Sequence, residues 1–338
     1  MERLIVVARD GSGDFASVGS ALAAAERLPP GGLVVLVREG EYFEKLRVMR
    51  AGLRLRGEGA GRSVIRHDDG ALRLLPDGQR MGTFNSYALY VGAIGVRVQD
   101  LTIENSAGDG RTAGQAVALY ADADDLSFTR CAILGRQDTL FTGPLPKDPV
   151  PKGVNLLHPV AGLGADEPAL PFRQLYEDCL ISGDVDFIFG SAAATFDRCE
   201  IRSLPRLRGG GRGRGRLRAR GWEHEGGDER GWICAPSTYP GQERGFAFLR
   251  CALTGPGTEP GSVYLGRPWR ACAQAAFVDC AMGAHIAPDG WDDWGKDEAR
   301  ELSRFSERGS TGPGARGPRV AWASVLDAAR AATLEPRR

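Results

Sequence analysis

FTRCAI at 128–133 recurs with small changes as FDRCEI at 196–201, FLRCAL at 248–253 and FVDCAM at 277–282. YEDCLI at 176–181 is a fifth copy, and VQDLTI at 98–103 fits a sixth, with Leu101 in the cysteine place. The shared formula is an apolar residue, any residue, Arg or Asp, Cys or Leu, any residue, and an apolar residue. Such self-similarity marks stacked units, none of which can bury its apolar face alone. The spacing is irregular: 20 residues from Cys179 to Cys199, 29 from Cys251 to Cys280, and about 50 elsewhere. Short strands joined by loops of variable length account for this. A helical repeat does not, because the hexamers are short and bounded by Gly, Asp and Asn. The pattern predicts an all-β solenoid of short parallel strands with equivalent residues piled in interior ladders. Chance likeness among amphipathic strands is the alternative.

The remaining chain frames these coils as a single domain, 1–338. DFASVGSALAAAERLP (14–29) predicts a capping helix with Val18, Ala21, Leu22 and Ala25 on one face and proline at its end. SVLDAARAATLEP (324–336) predicts a short C-terminal helix. Residues 143–172 carry seven prolines and read as a long loop insertion. Residues 202–220 carry eight arginines among glycines, and an acidic patch follows, so 202–231 reads as a second insertion. A solvated loop, a nucleic-acid arm or a contact to an acidic polymer would each suit its arginines.

Composition narrows the function. Forty-three basic residues balance 43 acidic ones, so no global field recruits nucleic acid or a membrane surface. The seven cysteines form no CxxC pair and read as small apolar core residues. The four histidines, His67, His158, His224 and His285, have no partner at ligand spacing, so no metal and no cofactor is expected. The opening MERLIVVARDGSGDF is too short in its apolar run for a signal peptide. As given, it predicts a cytoplasmic protein, or a secreted one if a leader has been cleaved.

Four polar clusters could carry chemistry: GQAVALY (114–120), GRQDTLF (135–141), GDVDFIFG (183–190) and YLGRPWR (264–270). Each has a bland reading. Asp138 could cap a turn, Gln115 close a loop, Arg267 join a surface ion pair and Trp269 sit in a core. In GDVDFIFG, strict alternation puts Val185, Phe187 and Phe189 on one face and Asp184, Asp186 and Ile188 on the other. Period alone therefore does not choose between Asp184 and Asp186. In a parallel solenoid, like positions of adjacent coils lie about 4.8 Å apart. Long sequence gaps can then collapse into one site.

With VARDGSGDFASV, GEYFEK, GTFNSYAL, LTIENSAG and GWDDW, and in this order, the clusters resemble the pectin methylesterases. The likeness runs nearly end to end. It implies a single-stranded, right-handed parallel β-helix of the pectin-lyase-like kind. It also implies Asp186 as nucleophile, Asp138 as general acid and then base, and Gln115 and Gln137 as the oxyanion hole. Arg267 would orient Asp186 and keep it charged, while Thr83 and Trp269 contact the sugar and Val185 and Phe189 line the cleft. The implied partner is methyl-esterified galacturonan or oligogalacturonate, acted on by a monomer. The residue types suit the chemistry. A fixed cation lets a carboxylate attack, and a second carboxyl raised by burial and by its neighbour stays protonated to serve the leaving alkoxide. Each amide donor to an oxyanion contributes roughly 3 kcal/mol.

Other readings stay open. A pectate lyase or polygalacturonase could share the architecture, but those need clustered calcium-binding acids or paired acids about a glycosidic oxygen. An esterase acting on thioesters or another carbohydrate, or a carbohydrate-binding solenoid without activity, are further alternatives. The proline-rich insertion would rim the groove. The Arg/Gly insertion would favour partly demethylated, anionic substrate.

Overall fold

The computed structural model describes residues 2–144, 172–206 and 230–336. The two insertion loops, with the rim and anion-binding roles expected of them, lie outside the described residues for most of their length. The strands form three parallel sheets of 11, 7 and 8 strands among the described residues, each coil contributing about one strand to each sheet. This is the right-handed parallel β-helix, the hand that parallel crossovers take.

The hexamers are where the coil turns a corner. Their third residues, Asp100, Arg130, Asp178, Arg198, Arg250 and Asp279, all have φ between 51 and 56°. A left-handed residue between two strand segments swings the chain from one sheet to the next. The Arg-or-Asp choice there also has an electrostatic reason. The residues stack along the solenoid, and opposite charges meet at 2.7 Å in Arg130–Asp100 and 2.9 Å in Arg198–Asp178.

The first and fourth positions build the interior. Phe128, Tyr176, Phe196, Phe248 and Phe277 are in register on consecutive strands. Their rings stack at centroid spacings of 4.9, 4.8, 4.6 and 4.3 Å. The cysteines are more than small apolar fillers. The thiols of Cys179, Cys199, Cys251 and Cys280 donate to the carbonyls of Phe128, Tyr176, Phe196 and Phe248 at 3.3–3.4 Å. Each thiol thereby ties its coil to the one before. Replacing fully buried Phe196 with Ala should cost about 3–5 kcal/mol, read as a lower denaturant midpoint. An unchanged midpoint would mean the ring stack carries no stability.

Both ends differ in detail from the sequence expectation. The first helix spans Val18–Arg27, shorter than 14–29, because Ser17 caps its start, accepting from Ser20 N. It buries the four anticipated residues, Val18, Ala21, Leu22 and Ala25. The carboxylate of Glu44 accepts from the N–H groups of Val18 and Gly19, which have no partner within the helix, a favourable charge at a helix start. The C-terminal segment is not one helix over 324–336. Ser324–Val325 adds a strand to the 11-stranded sheet, and only Ala328–Ala332 is helical. Leu334 packs with Ala247, Leu249, Ala276 and Val278. An apolar strip on the sheet's outer face thus decides where the tail lies.

Candidate functional site

The seven-stranded sheet carries every anticipated site residue on or beside its strands. Its order along the solenoid is Val263–Gly266, Gly231–Pro236, Val185–Gly190, Leu140–Thr142, Leu119–Ala121, Leu89–Val91, Leu46–Val48. Arg267 follows the first of these strands and Asp186 lies in the third, while Asp138, Gln115 and Thr83 precede the fourth, fifth and sixth.

Gln137 bridges Val185, and Leu140 pairs with Ile188, so Asp138 and Asp186 occupy the same rung of adjacent strands. The Asp138 N–H donates to Val185 O at 3.0 Å. Both aspartates are left-handed, with φ of 60° and 47°. This breaks the strict alternation expected of GDVDFIFG. The pairing slips between Val185 and Ile188. Phe187 and Ile188 consequently both enter the interior core, while Phe189 joins an outer aromatic cluster. The bulge turns Asp186 out of the core without unpairing the strand around it. Gly190, at φ 129°, follows where an added Cβ would come within 2.0 Å of Thr142 O, so the exit from the bulge requires glycine.

The two acids of GDVDFIFG separate cleanly. Arg267 donates to Asp186 through Nε at 2.8 Å and Nη2 at 2.7 Å, a bidentate pair that is almost wholly buried. Asp184 instead faces Arg136 at 3.2 Å. Its carboxyl is pushed up by burial, which Arg136 opposes. Asp138 lies at an intermediate exposure yet deep among protein atoms. Burial first, and then the Asp186 carboxylate, drive its pKa well above the ordinary value of 3.8, with Arg267 opposing.

The two amides are adjacent, because Ala116 N donates to Gln137 O at 3.0 Å. Gln137 is buried and Gln115 half-buried. Gly110 lets Gln137 fit: a Cβ there would lie 2.3 Å from its Oε1. Thr83 opens the turn Thr83–Asn85. The neighbouring Phe84 ring meets Phe141 at 5.0 Å and Phe189 at 6.4 Å. Trp269 sits 5.8 Å from Phe189, while Val185 and Phe189 are themselves buried.

Some residues at the site escaped the sequence reading. Trp232 and Trp294 sandwich the Arg267 guanidinium, each 3.8 Å from its carbon. The GWDDW motif pointed toward Trp294. Trp232 left no signal, since its role exists only once its coil lies against the next. Asp122, buried and bonded by Tyr90 OH at 2.9 Å, ends the outer aromatic wall. Burial raises it to about 7. His67 does have acidic company, lying 3.0 Å from Asp69, which Lys45 already pairs at 2.6 Å. Two recesses of about 520 and 510 Å³ lie away from the aspartates, beside Tyr42 and beside Arg130.

The fold and this arrangement define a parallel β-helix protein carrying an aspartate pair, an arginine clamp and two amides on one sheet face. The pectinesterase family model matches residues 4–144 and 169–335. Pectinesterase/pectinesterase inhibitor 18 of Arabidopsis thaliana is 31% identical over 94% of the chain, and pectinesterase 2 of Citrus sinensis 29% over 94%. The chain spans about half the length of these curated relatives, 49% and 53%. Pectin methylesterase from carrot superposes with a TM-score of 0.75 at 28% identity, covering 97% of this chain and 89% of that one. A pectin methylesterase solved with a hexasaccharide gives 0.74 at 27%, covering 98% and 95%. The chain belongs to the pectinesterase family. No helix among the described residues is long and apolar enough to cross a membrane, and nothing in these relatives supports a cytoplasmic place of action.

Proposed function

We propose that the protein hydrolyses the C6 methyl esters of galacturonate in pectin or pectic oligosaccharides, releasing methanol. The observation that carries this reading is the asymmetry of the carboxyl pair: Asp186 is held in a bidentate ion pair with Arg267, while Asp138 beside it is pushed toward the protonated state. Two acids with opposed protonation suit acyl transfer.

Asp186 attacks the ester carbon, forming a C–O bond while the carbonyl electrons move to oxygen. The side chains of Gln115 and Gln137 donate to that oxyanion. The intermediate collapses, the bond to the methoxy oxygen breaks, and Asp138 gives its proton to the departing methanol. An acyl-enzyme anhydride on Asp186 remains. Water then attacks the same carbon and gives a proton to Asp138. The bond to Asp186 breaks, regenerating both side chains and leaving the galacturonate acid. Thr83, Trp269, Val185 and Phe189 would contact the sugar chain.

The test is methanol release from methyl-esterified oligogalacturonates of defined length, with reducing ends and unsaturated products followed in parallel. Methanol equal to the carboxylates formed, with neither other product, is the expected result. New reducing ends or an unsaturated product without methanol would replace this reading with chain cleavage. Loss of a thioester or another carbohydrate ester in preference to the methyl ester would shift the substrate class.

A further inference from the structure

Arg267 belongs to a column of alternating cations and rings. Trp232 and Trp294 each lie 3.8 Å from its guanidinium carbon, and the Lys296 ammonium sits 4.2 Å from the centroid of Trp294. Lys296 Nζ also donates to Pro268 O at 2.8 Å and Trp269 O at 3.0 Å. It therefore grips the segment between the arginine that clamps Asp186 and the tryptophan beside Phe189.

Trp294 is itself strained. Its φ is 58°, a left-handed conformation that an aromatic residue adopts at a cost of roughly 1–2 kcal/mol. Asp292 Oδ1 accepts from its N–H at 2.6 Å, and Gly295, at φ 65°, follows. The turn 291–295 is shaped to aim the indole at Arg267, and strained residues that persist are held by their surroundings.

We propose that Lys296 is a positioning residue: through Trp294 and the carbonyls of Pro268 and Trp269, its ammonium fixes Arg267 against Asp186 and Trp269 beside Phe189. This rests on the esterase reading above. Burial first, and then the charge of Arg267, lower the Lys296 pKa to about 8, and Asp186 opposes them. Asp293, in its own turn, is paired with Arg300 at 2.6 Å. The ammonium is present below about pH 8 and lost above it, and with it goes the attraction to the Trp294 face.

The experiment compares Lys296→Met and Lys296→Arg with the parent. At pH 7, Lys296→Met should lower kcat/KM about tenfold, divided between a lower kcat from a looser Arg267 and a higher KM from a looser Trp269. Lys296→Arg should recover most of that and keep its activity above about pH 8, where the parent loses some. Kinetic constants for Lys296→Met within roughly twofold of the parent would overturn the proposal. So would identical alkaline profiles for the parent and Lys296→Arg. Tryptophan fluorescence gives a readout independent of turnover. The parent should show an inflection near pH 8 that Lys296→Met lacks, and an inflection common to both would also overturn it. A parent that releases no methanol but shows the Lys296-dependent inflection defeats the esterase reading and leaves the lysine's hold on Trp294 standing.

Discussion

Asp186→Asn should abolish methanol release, a fall of about 10⁴-fold or more in kcat, because the amide cannot form the acyl bond. The same change should destabilise the fold. It leaves Arg267, 5% exposed, as an uncompensated charge between two tryptophans, and breaking a buried pair from one side costs about 3–5 kcal/mol. Circular dichroism at the assay temperature must therefore show that the variant remains folded. Asp184→Asn is the matched control. It lies two residues away, is equally buried, and faces Arg136 rather than Arg267. Its activity should stay within about tenfold of the parent. If Asp184→Asn is the inactive variant and Asp186→Asn retains turnover, the nucleophile is the other acid of the motif.

Asp138→Asn should slow methanol release about 10²–10⁴-fold and change how activity depends on pH and on the leaving alcohol. In the parent, the protonated acid exists below the Asp138 pKa and disappears as pH rises through it. Burial and the Asp186 carboxylate lift that pKa well above 3.8, so activity should persist beyond the ordinary carboxylate range before it declines. The variant has no such proton to lose, so this alkaline decline should vanish, leaving only the change attributed to Lys296 near pH 8. An ester with a more acidic leaving alcohol needs less protonation and should recover a larger share of activity in Asp138→Asn than in the parent. Equal sensitivity of the two proteins to the leaving group would remove Asp138 from the general-acid role.

The two acids show where sequence periodicity stops informing. Alternation across GDVDFIFG assigned Asp184 and Asp186 to one face because it assumed an unbroken strand. A left-handed residue at 186 and the slip before Ile188 send Phe187 and Ile188 to the same side. Each acid then takes its own arginine, Arg136 at a separation of 48 residues for Asp184 and Arg267 at 81 for Asp186. No local window contains either pairing. The same limit applies to Trp232, whose contact with Arg267 arises only from the stacking of successive coils. The C-terminal tail shows a further form of it: a helical pattern yields to an unpaired sheet edge and an apolar strip, and only Ala328–Ala332 stays helical.

The sequence by itself determined the coil. Five of the six hexamers repeat a buried ring and a thiol, and all six place an Arg or Asp at the corner, and those features depend on a few neighbouring residues whatever the length of the loops between copies. Only the tertiary structure decided which carboxylate meets which guanidinium and which carboxyl is kept protonated. Those outcomes depend on the register of one coil upon the next and on burial in three dimensions, which act across dozens of residues and leave no period in the chain.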